Sequence, residues 1–353
     1  MPLKISFILP CRNEKEALGK VIQEIKEECQ KQNVIYEIIV SDSSIDGSDL
    51  IAKKEKVKLI KHDIPGYGFA IKKGIENASY DIIIYGDADY TYNFHEFPKL
   101  LKNFTGDNIV MGNRLKGKIK KEAMPFSHRF LGTPFLNFLI RLFFGVKIYD
   151  SQSGFRLLNK DVYRKLNLVT NNMEFTVEMI IKAKKQGIKI KEVPIEYRPR
   201  LGISKLKPYK DGLADIKYII LEVPVLFYII TGGIIGLVGL IGLIFNKKLG
   251  RFFDTATVKI FFPLLGFQII YLALFSKTYL YVKFKQENKF LKKFYQIFKL
   301  KYALFLGVFL IIIPILFKLF GQADKFFDPL IVSALVGIQI IFNSLYLSEL
   351  SVE

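Results

Sequence analysis

Four long apolar stretches constrain the chain more than any other feature. Val223 to Phe245, Val258 to Val282, Tyr302 to Phe320 and Pro329 to Leu347 each approach the roughly 20 residues that carry a helix across a bilayer. The part from residue 223 to 353 therefore reads as a membrane domain of four helices. The connection Lys283 to Lys301 holds seven lysines and one Glu, while the other two connections are short and less basic. Cytoplasmic loops carry the excess of Lys and Arg, so this connection is expected in the cytoplasm. With four crossings, both termini and the whole of the chain before Val223 share that side. The net charge of +19 is spread over both parts, with 38 Lys and Arg against 27 Asp and Glu before Val223 and 14 against 6 after it. Such a balance suits nucleic acid or anionic lipid, and beside membrane helices the lipid bilayer is the expected partner and nucleic acid is not. Cys11 and Cys29 are the only cysteines, which argues for a reducing face and against a disulfide framework. Met1-Pro2-Leu3-Lys4 leads directly into strand-like sequence, so no cleavable leader is expected.

Before Val223, strand and helix signals alternate. Strands are expected at Lys4 to Pro10, Tyr36 to Val40, Val57 to Lys61, Ile82 to Tyr85, Asn108 to Met111 and Glu192 to Tyr197, with helices near Glu16 to Gln32, Asp49 to Glu55, Gly66 to Ala78 and Phe94 to Asn103. Short loops between such elements predict a doubly wound, Rossmann-like and mostly parallel α/β sheet. The expected divisions are 1–207 for this domain, 208–222 for a juxtamembrane helix and 223–353 for the membrane domain.

Within this frame Ile82-Ile83-Ile84-Tyr85-Gly86-Asp87-Ala88-Asp89 reads as a buried strand whose carboxylates emerge at its carboxyl end, where open α/β sheets bind ligands. Two acids two residues apart repel unless a cation lies between them. A hard divalent ion carrying a diphosphate satisfies both, although Asp89 equally suits a helix N-cap. Gly66-Tyr67-Gly68-Phe69-Ala70 lacks the third glycine of a dinucleotide fingerprint and reads as a tight strand-to-helix turn, with Gly68 beside a nucleotide. Pro125 to Gly145 is rich in Phe and Leu, embeds Arg129 and Arg141 and has no acid; it fits either a segment in the membrane interface or a core helix. Arg198 to Leu206 is basic with Gly and Ser donors, and suits phosphate or a solvated connector.

Six blocks in order, Pro10-Cys11-Arg12-Asn13-Glu14, Asp42 to Ser48, Gly86-Asp87-Ala88-Asp89, Gly112-Asn113-Arg114, Ser153-Gly154-Phe155 and Ser204-Lys205-Leu206, resemble glycosyltransferase family 2 with the GT-A fold. Within it the resemblance is to the polyprenyl-phosphate glycosyltransferases, the dolichol-phosphate mannose and glucose synthases, over roughly residues 3 to 215. It implies transfer of one sugar, with inversion, from a UDP- or GDP-sugar to a dolichyl or undecaprenyl phosphate. It also implies that Pro10, Arg12, Asn13 and Glu14 line the nucleotide pocket with Asp42, whose carboxylate meets the base, and with Ala88. Asp87 is then expected near ribose and metal, and Asp89 as ligand of Mg²⁺ or Mn²⁺. Relatives often place a Gln two residues later, where Thr91 stands here as the third candidate ligand. Arg114 matches an arginine facing the donor diphosphate or acceptor phosphate. Arg198, Arg200, Ser204 and Lys205 match a mobile loop for the acceptor phosphate. Asp150 is assigned to orienting acceptor or sugar, or else to capping a turn with Ser151.

A polyprenyl phosphate is already anionic near neutral pH, so it needs cationic positioning rather than a strong base. Processive polysaccharide synthases share these features but use a Gln-x-x-Arg-Trp block, and this chain has no Trp. A non-catalytic membrane-anchored binding module is the other alternative, against which the Asp87 and Asp89 pair speaks. A homo-oligomer is compatible with the sequence, which fixes neither sugar nor base.

Overall fold

The computed structural model describes residues 2–205, 208–245, 252, 255, 257–287, 289–297, 299–320 and 327–352. Leu206 of the last sequence block and most of the two short membrane connections, 246–251 and 321–326, lie outside the described residues. The chain divides into two compact units, Met1–Ile219 and Ile220–Glu353.

The first unit runs β1 (Lys4–Cys11), α1 (Leu18–Gln32), β2 (Ile35–Asp42), α2 (Ser48–Lys54), β3 (Lys58–Lys61), α3 (Tyr67–Glu76), β4 (Ile82–Tyr85), α4 (Phe97–Leu101), β5 (Ile109–Ile119), α5 (Thr133–Phe144), β6 (Arg156–Asn159), α6 (Lys160–Leu166), α7 (Phe175–Lys185) and β7 (Ile190–Tyr197). The helix α8 (Pro208–Glu222) begins in this unit and contains its boundary. Seven strands form one sheet in the order β3-β2-β1-β4-β6-β5-β7. All pairings are parallel except those of β6 with β4 and β5. The alternation in the sequence therefore gives a mostly parallel sheet, with one reversed strand inserted. That strand is four residues long and leads directly into α6, too short to carry a readable period.

Both faces of the sheet are covered. Ile5, Phe7 and Leu9 of β1 join one apolar cluster and Ile8 the other; Ile84 of β4 faces the first, Ile83 and Tyr85 the second. Side chains alternate across a strand, so a strand buried on both sides must be apolar throughout, as Ile82-Ile83-Ile84-Tyr85 is. Each such side chain contributes about 1.5–3 kcal/mol on burial. This rigid centre holds the carboxyl ends of β1, β2 and β4 side by side, with Cys11 opposite Asp42 and Ile8 opposite Tyr85.

The second unit contains α9 (Val225–Phe245), α10 (Phe262–Phe284), α11 (Lys289–Ile297), α12 (Leu300–Leu319) and α13 (Phe327–Val352). Four segments, Val225–Phe245, Thr257–Phe284, Leu300–Leu319 and Phe327–Leu350, are long and apolar enough to cross a membrane. Their pairing uses small residues. A β-carbon on Gly266 would lie 2.4 Å from the Gly232 carbonyl oxygen, and one on Gly337 2.6 Å from that of Gly307, the close backbone approach that drives helix association in lipid. The lysine-rich connection is not extended: α11 forms in it, with Leu291 buried and Lys292 and Lys293 exposed.

Candidate active site

The loops after β1 and β2 are knitted into one surface. The Asn13 amide donates to Ser44 Oγ (2.7 Å), the Ile45 amide to Asn13 Oδ1 (2.9 Å), the Glu14 amide to Ser48 Oγ (3.0 Å) and the Lys15 amide to Asp46 Oδ2 (3.0 Å). Asn13 takes a left-handed conformation, φ 57°, tolerated best by Asn and Gly. Asp42 is buried, and its oxygens accept from the Ser44 amide (3.0 Å) and from Lys61 Nζ (2.6 Å). Pro10 is half-buried and Arg12 exposed at the rim, while Ala88 is buried in the core beneath.

Beyond β4 the chain turns back at Tyr90, φ 70°. That turn brings Thr91 onto Asp89: its amide (3.0 Å) and its hydroxyl (2.5 Å) both donate to Asp89 Oδ1. Thr91, expected as a third metal ligand, is buried, and its hydroxyl proton on Asp89 holds the second carboxylate in place. The cap-like turn and the site-facing acid are the same residue. Asp89 Oδ2, on its other side, accepts from Arg200 Nη1 at 2.7 Å.

The segment after β7 folds onto these acids. The Leu201 amide donates to the Asp89 carbonyl (3.1 Å) and the Arg198 amide to that of Thr91 (2.9 Å). Arg200 Nη2 also pairs with Glu14 Oε1, which Lys205 Nζ approaches to 3.0 Å while bonding the Asn13 carbonyl. Ser204 lies exposed on this segment. Of the two arginines expected to reach phosphate, only Arg200 points inward. Arg198 is turned away, pairing with Glu24 (2.6 Å) and Glu196 (2.9 Å) over the Tyr90 ring.

Among the described residues Asp87, unlike Asp89 and Glu14, makes no ion pair. Its Oδ1 is buried with no hydrogen-bond partner among the described residues. Burial first, and then the Asp89 charge, push its carboxyl up to about 7, with the nearby Tyr67 hydroxyl, Arg200 and Arg114 pulling the other way. Glu14 is likewise raised by burial, against the pull of Lys205 and Arg200.

Arg114 leaves β5 beside them. Its amide and Nε donate to Asp150 Oδ2 (2.8 and 2.9 Å) and its Nη2 to Oδ1 (2.8 Å), both residues being buried, and the guanidinium lies over the Tyr197 ring. Burial works against the charge of Arg114, and Asp150 more than restores it. Both carboxylate oxygens of Asp150 are thus committed to Arg114, and the residue neither faces outward nor caps Ser151, whose amide donates to Asn137 Oδ1 instead. Asp150 aims an arginine.

Three residues that the sequence reading did not assign complete the arrangement. Glu192 accepts from the amides of Tyr149 (3.0 Å) and Asp150 (2.8 Å) and from Asn113 Nδ2 (3.1 Å). Arg156 is fully buried and donates to the carbonyls of Ser151, Ser153 and Thr176, stiffening the turn that holds Gly154. Tyr92 accepts from the Gly154 amide (2.6 Å). Gly68 is tightly packed: a β-carbon there would lie 2.7 Å from Phe175 Cβ and 2.9 Å from the Thr170 carbonyl oxygen, which seats α3 against α7.

A mostly parallel sheet with acids at the ends of β2 and β4 and a basic strap across them defines a GT-A glycosyltransferase domain. The family model for glycosyl transferase family 2 matches residues 6–166, and the chain belongs to that family. The chain is 34% identical over 222 residues to the low-salt glycan biosynthesis hexosyltransferase Agl6 of Haloferax volcanii, covering 62% of this chain and 54% of that protein. It thus spans about half the length of that relative. It is 28% identical over 218 residues to a dolichyl-phosphate hexose transferase of the same organism, covering 61% of this chain and 92% of the relative. Its fold resembles that of mannosyl-3-phosphoglycerate synthase from Rubrobacter xylanophilus, at a TM-score of 0.50, 18% identity and coverage of 62% of this chain and 73% of that one.

Proposed function

We propose that this protein moves a single sugar from a UDP- or GDP-sugar to a polyprenyl phosphate, dolichyl or undecaprenyl, with inversion, giving a lipid-linked monosaccharide. The observation that carries this reading is Arg200, which brings the basic segment after β7 onto the acids at the end of β4. Acids suited to a cation-bound diphosphate and cations suited to a second phosphate lie within one side chain's reach. The name of the dolichyl-phosphate hexose transferase relative supports the acceptor class.

Asp87 and Asp89 fit a divalent metal, Mg²⁺ or Mn²⁺: they are hard oxygen donors, and Asp87 Oδ1 has no partner of its own. When bound, the metal supplies charge neutralisation for the departing diphosphate. The residues of the chain do the rest. The Asn13 and Asp42 loops hold the nucleoside, Asp150 fixes Arg114 toward phosphate oxygens, and Arg200 with Lys205 positions the acceptor for in-line attack at the anomeric carbon. Asp89, Glu14 and Asp150 each hold an arginine or lysine, an arrangement suited to an acceptor that brings its own negative charge.

The outer face of α5 and the turn before it supports a place at a lipid surface. Leu131, Phe135, Phe138 and Leu142 are exposed at a helical spacing, while Leu136, Ile140 and Phe144 enter the core. A helix apolar on both sides serves both expectations raised for Pro125 to Gly145, packing inward and leaving an apolar face for the membrane interface. On this reading the protein is an integral membrane protein with the GT-A domain and both termini cytoplasmic.

The test is transfer by the purified full chain in nanodiscs, with a panel of radiolabelled UDP- and GDP-sugars and polyprenyl phosphate. Acid-labile label in the lipid fraction is expected. Nucleotide-sugar consumption without lipid product, or growth of a polymer, refutes the proposal.

A further inference from the structure

The Gly66-Tyr67-Gly68 stretch remains unexplained by the roles above, since its second glycine serves packing. Its tyrosine opens α3 and packs its ring on the core, yet its hydroxyl is buried with no hydrogen-bond partner among the described residues. Asp87 Oδ1 is in the same condition. Both atoms border one point: a β-carbon on Gly154 would lie 2.5 Å from Tyr67 Oη and 3.0 Å from Asp87 Oδ1. A phenol and a carboxylate oxygen, each buried and unsatisfied, therefore face each other across a glycine with no side chain to part them. Burying such groups unpaired is costly, and a phenol is a donor matched to a carboxylate acceptor.

We infer that Tyr67 is a positioning residue for Asp87: its hydroxyl donates to Asp87 Oδ1 and fixes the carboxylate rotamer that receives the donor substrate. This rests on the glycosyl-transfer reading above. Gly68 lets α3 pack close to α7, which sets Tyr67 over Gly154; Arg156 and Tyr92 hold Gly154 under it. The Gly-x-Gly pattern thus acts through the residue between its glycines, and phosphate plays no part in it.

Tyr67→Phe removes one oxygen and keeps the ring. Titration calorimetry of the full chain in nanodiscs with Mn²⁺ plus UDP, and with Mn²⁺ plus GDP, is expected to give binding about tenfold weaker than wild type, the loss of one hydrogen bond to a charged group. The KM for polyprenyl phosphate should not move, while the Tm should fall because Asp87 Oδ1 is left buried without its donor. Gly154→Ala, which drives a methyl between the two oxygens, should weaken the same binding without affecting acceptor KM. Unchanged nucleotide binding in Tyr67→Phe, alongside its loss in Asp87→Ala, overturns the role of Tyr67 and leaves the glycosyl-transfer reading intact. Failure of the wild-type protein to bind either nucleotide overturns that reading, and this inference with it.

Discussion

Replacing Arg200 by Ala separates two views of the basic segment. If Arg200 served only the donor diphosphate, its loss would weaken nucleotide binding. The structure points the other way, because the guanidinium already spans the acids that a cation-bound donor must use, with Nη1 2.7 Å from Asp89 Oδ2 and Nη2 on Glu14. A hydrogen bond to a charged group contributes about 1.5–3 kcal/mol. The Arg200 side chain is 20% exposed, so solvent screens the pair and the lower end applies, while Lys205 remains on Glu14. About 1.5 kcal/mol converts to roughly tenfold. Arg200→Ala is therefore expected to bind Mn²⁺ with nucleoside diphosphate about tenfold more tightly, and to transfer sugar to polyprenyl phosphate about 10²-fold more slowly, as loss of a charge-stabilising donor does. Titration calorimetry and a lipid-extraction assay on the same nanodisc preparation measure both. Weaker nucleotide binding in the variant refutes the reasoning, as does an unchanged transfer rate.

Asp150→Ala leaves the buried Arg114 without its carboxylate, and truncating one partner of such a pair costs about 3–5 kcal/mol; a large drop in Tm and in kcat is expected by thermal unfolding and turnover. Thr91→Val keeps the shape but removes the hydroxyl on Asp89, and the electron spin resonance of bound Mn²⁺ should report about tenfold weaker metal binding. Asp87, raised to about 7 from an unfolded value of about 3.9, gives a pH dependence of definite sign. Its contribution to metal-free stability is present below the unfolded value and lost as pH rises through 7, whereas Mn²⁺ affinity, which needs the ionised form, rises over the same interval; Asp87→Asn should flatten both curves. Finally, an uncharged polyprenol in place of the phosphate should give no glycolipid in the transfer assay, and turnover of the alcohol would overturn the view that the acceptor supplies its own charge.

Much of the fold was legible because its elements are chemically distinct along the chain. The run Ile82-Ile83-Ile84-Tyr85 had to be a strand covered on both faces, and the four apolar stretches had to be helices. Strand β6 escaped because four residues beginning with a buried Arg carry no pattern, and Arg156 is tolerated there only through three carbonyls that no local sequence announces. The site shows the same division. Residue types predicted which side chains gather, and Asn13, Glu14, Asp89, Arg200 and Lys205 do meet. What each does depends on direction: Arg198 and Arg200 are both basic and two residues apart, yet one binds Glu24 and the other reaches Asp89. Asp150 and Thr91 read as an acid and a hydroxyl beside a site; the fold adds what sequence could not show, that each holds a neighbouring residue still.

That pattern of support explains why so few side chains are available for chemistry. Fixing a guanidinium in a buried place requires a carboxylate beneath it, and Asp150 itself needs Glu192, whose carboxylate takes the amides of Tyr149 and Asp150. Asp150 is thereby committed to a fixed guanidinium, and Glu192 to the backbone that carries Asp150. Cations held in this way stabilise negative charge well. The proposed reaction makes use of this, since both its substrates arrive as phosphate esters, one leaving as a diphosphate and the other attacking through an oxygen already ionised.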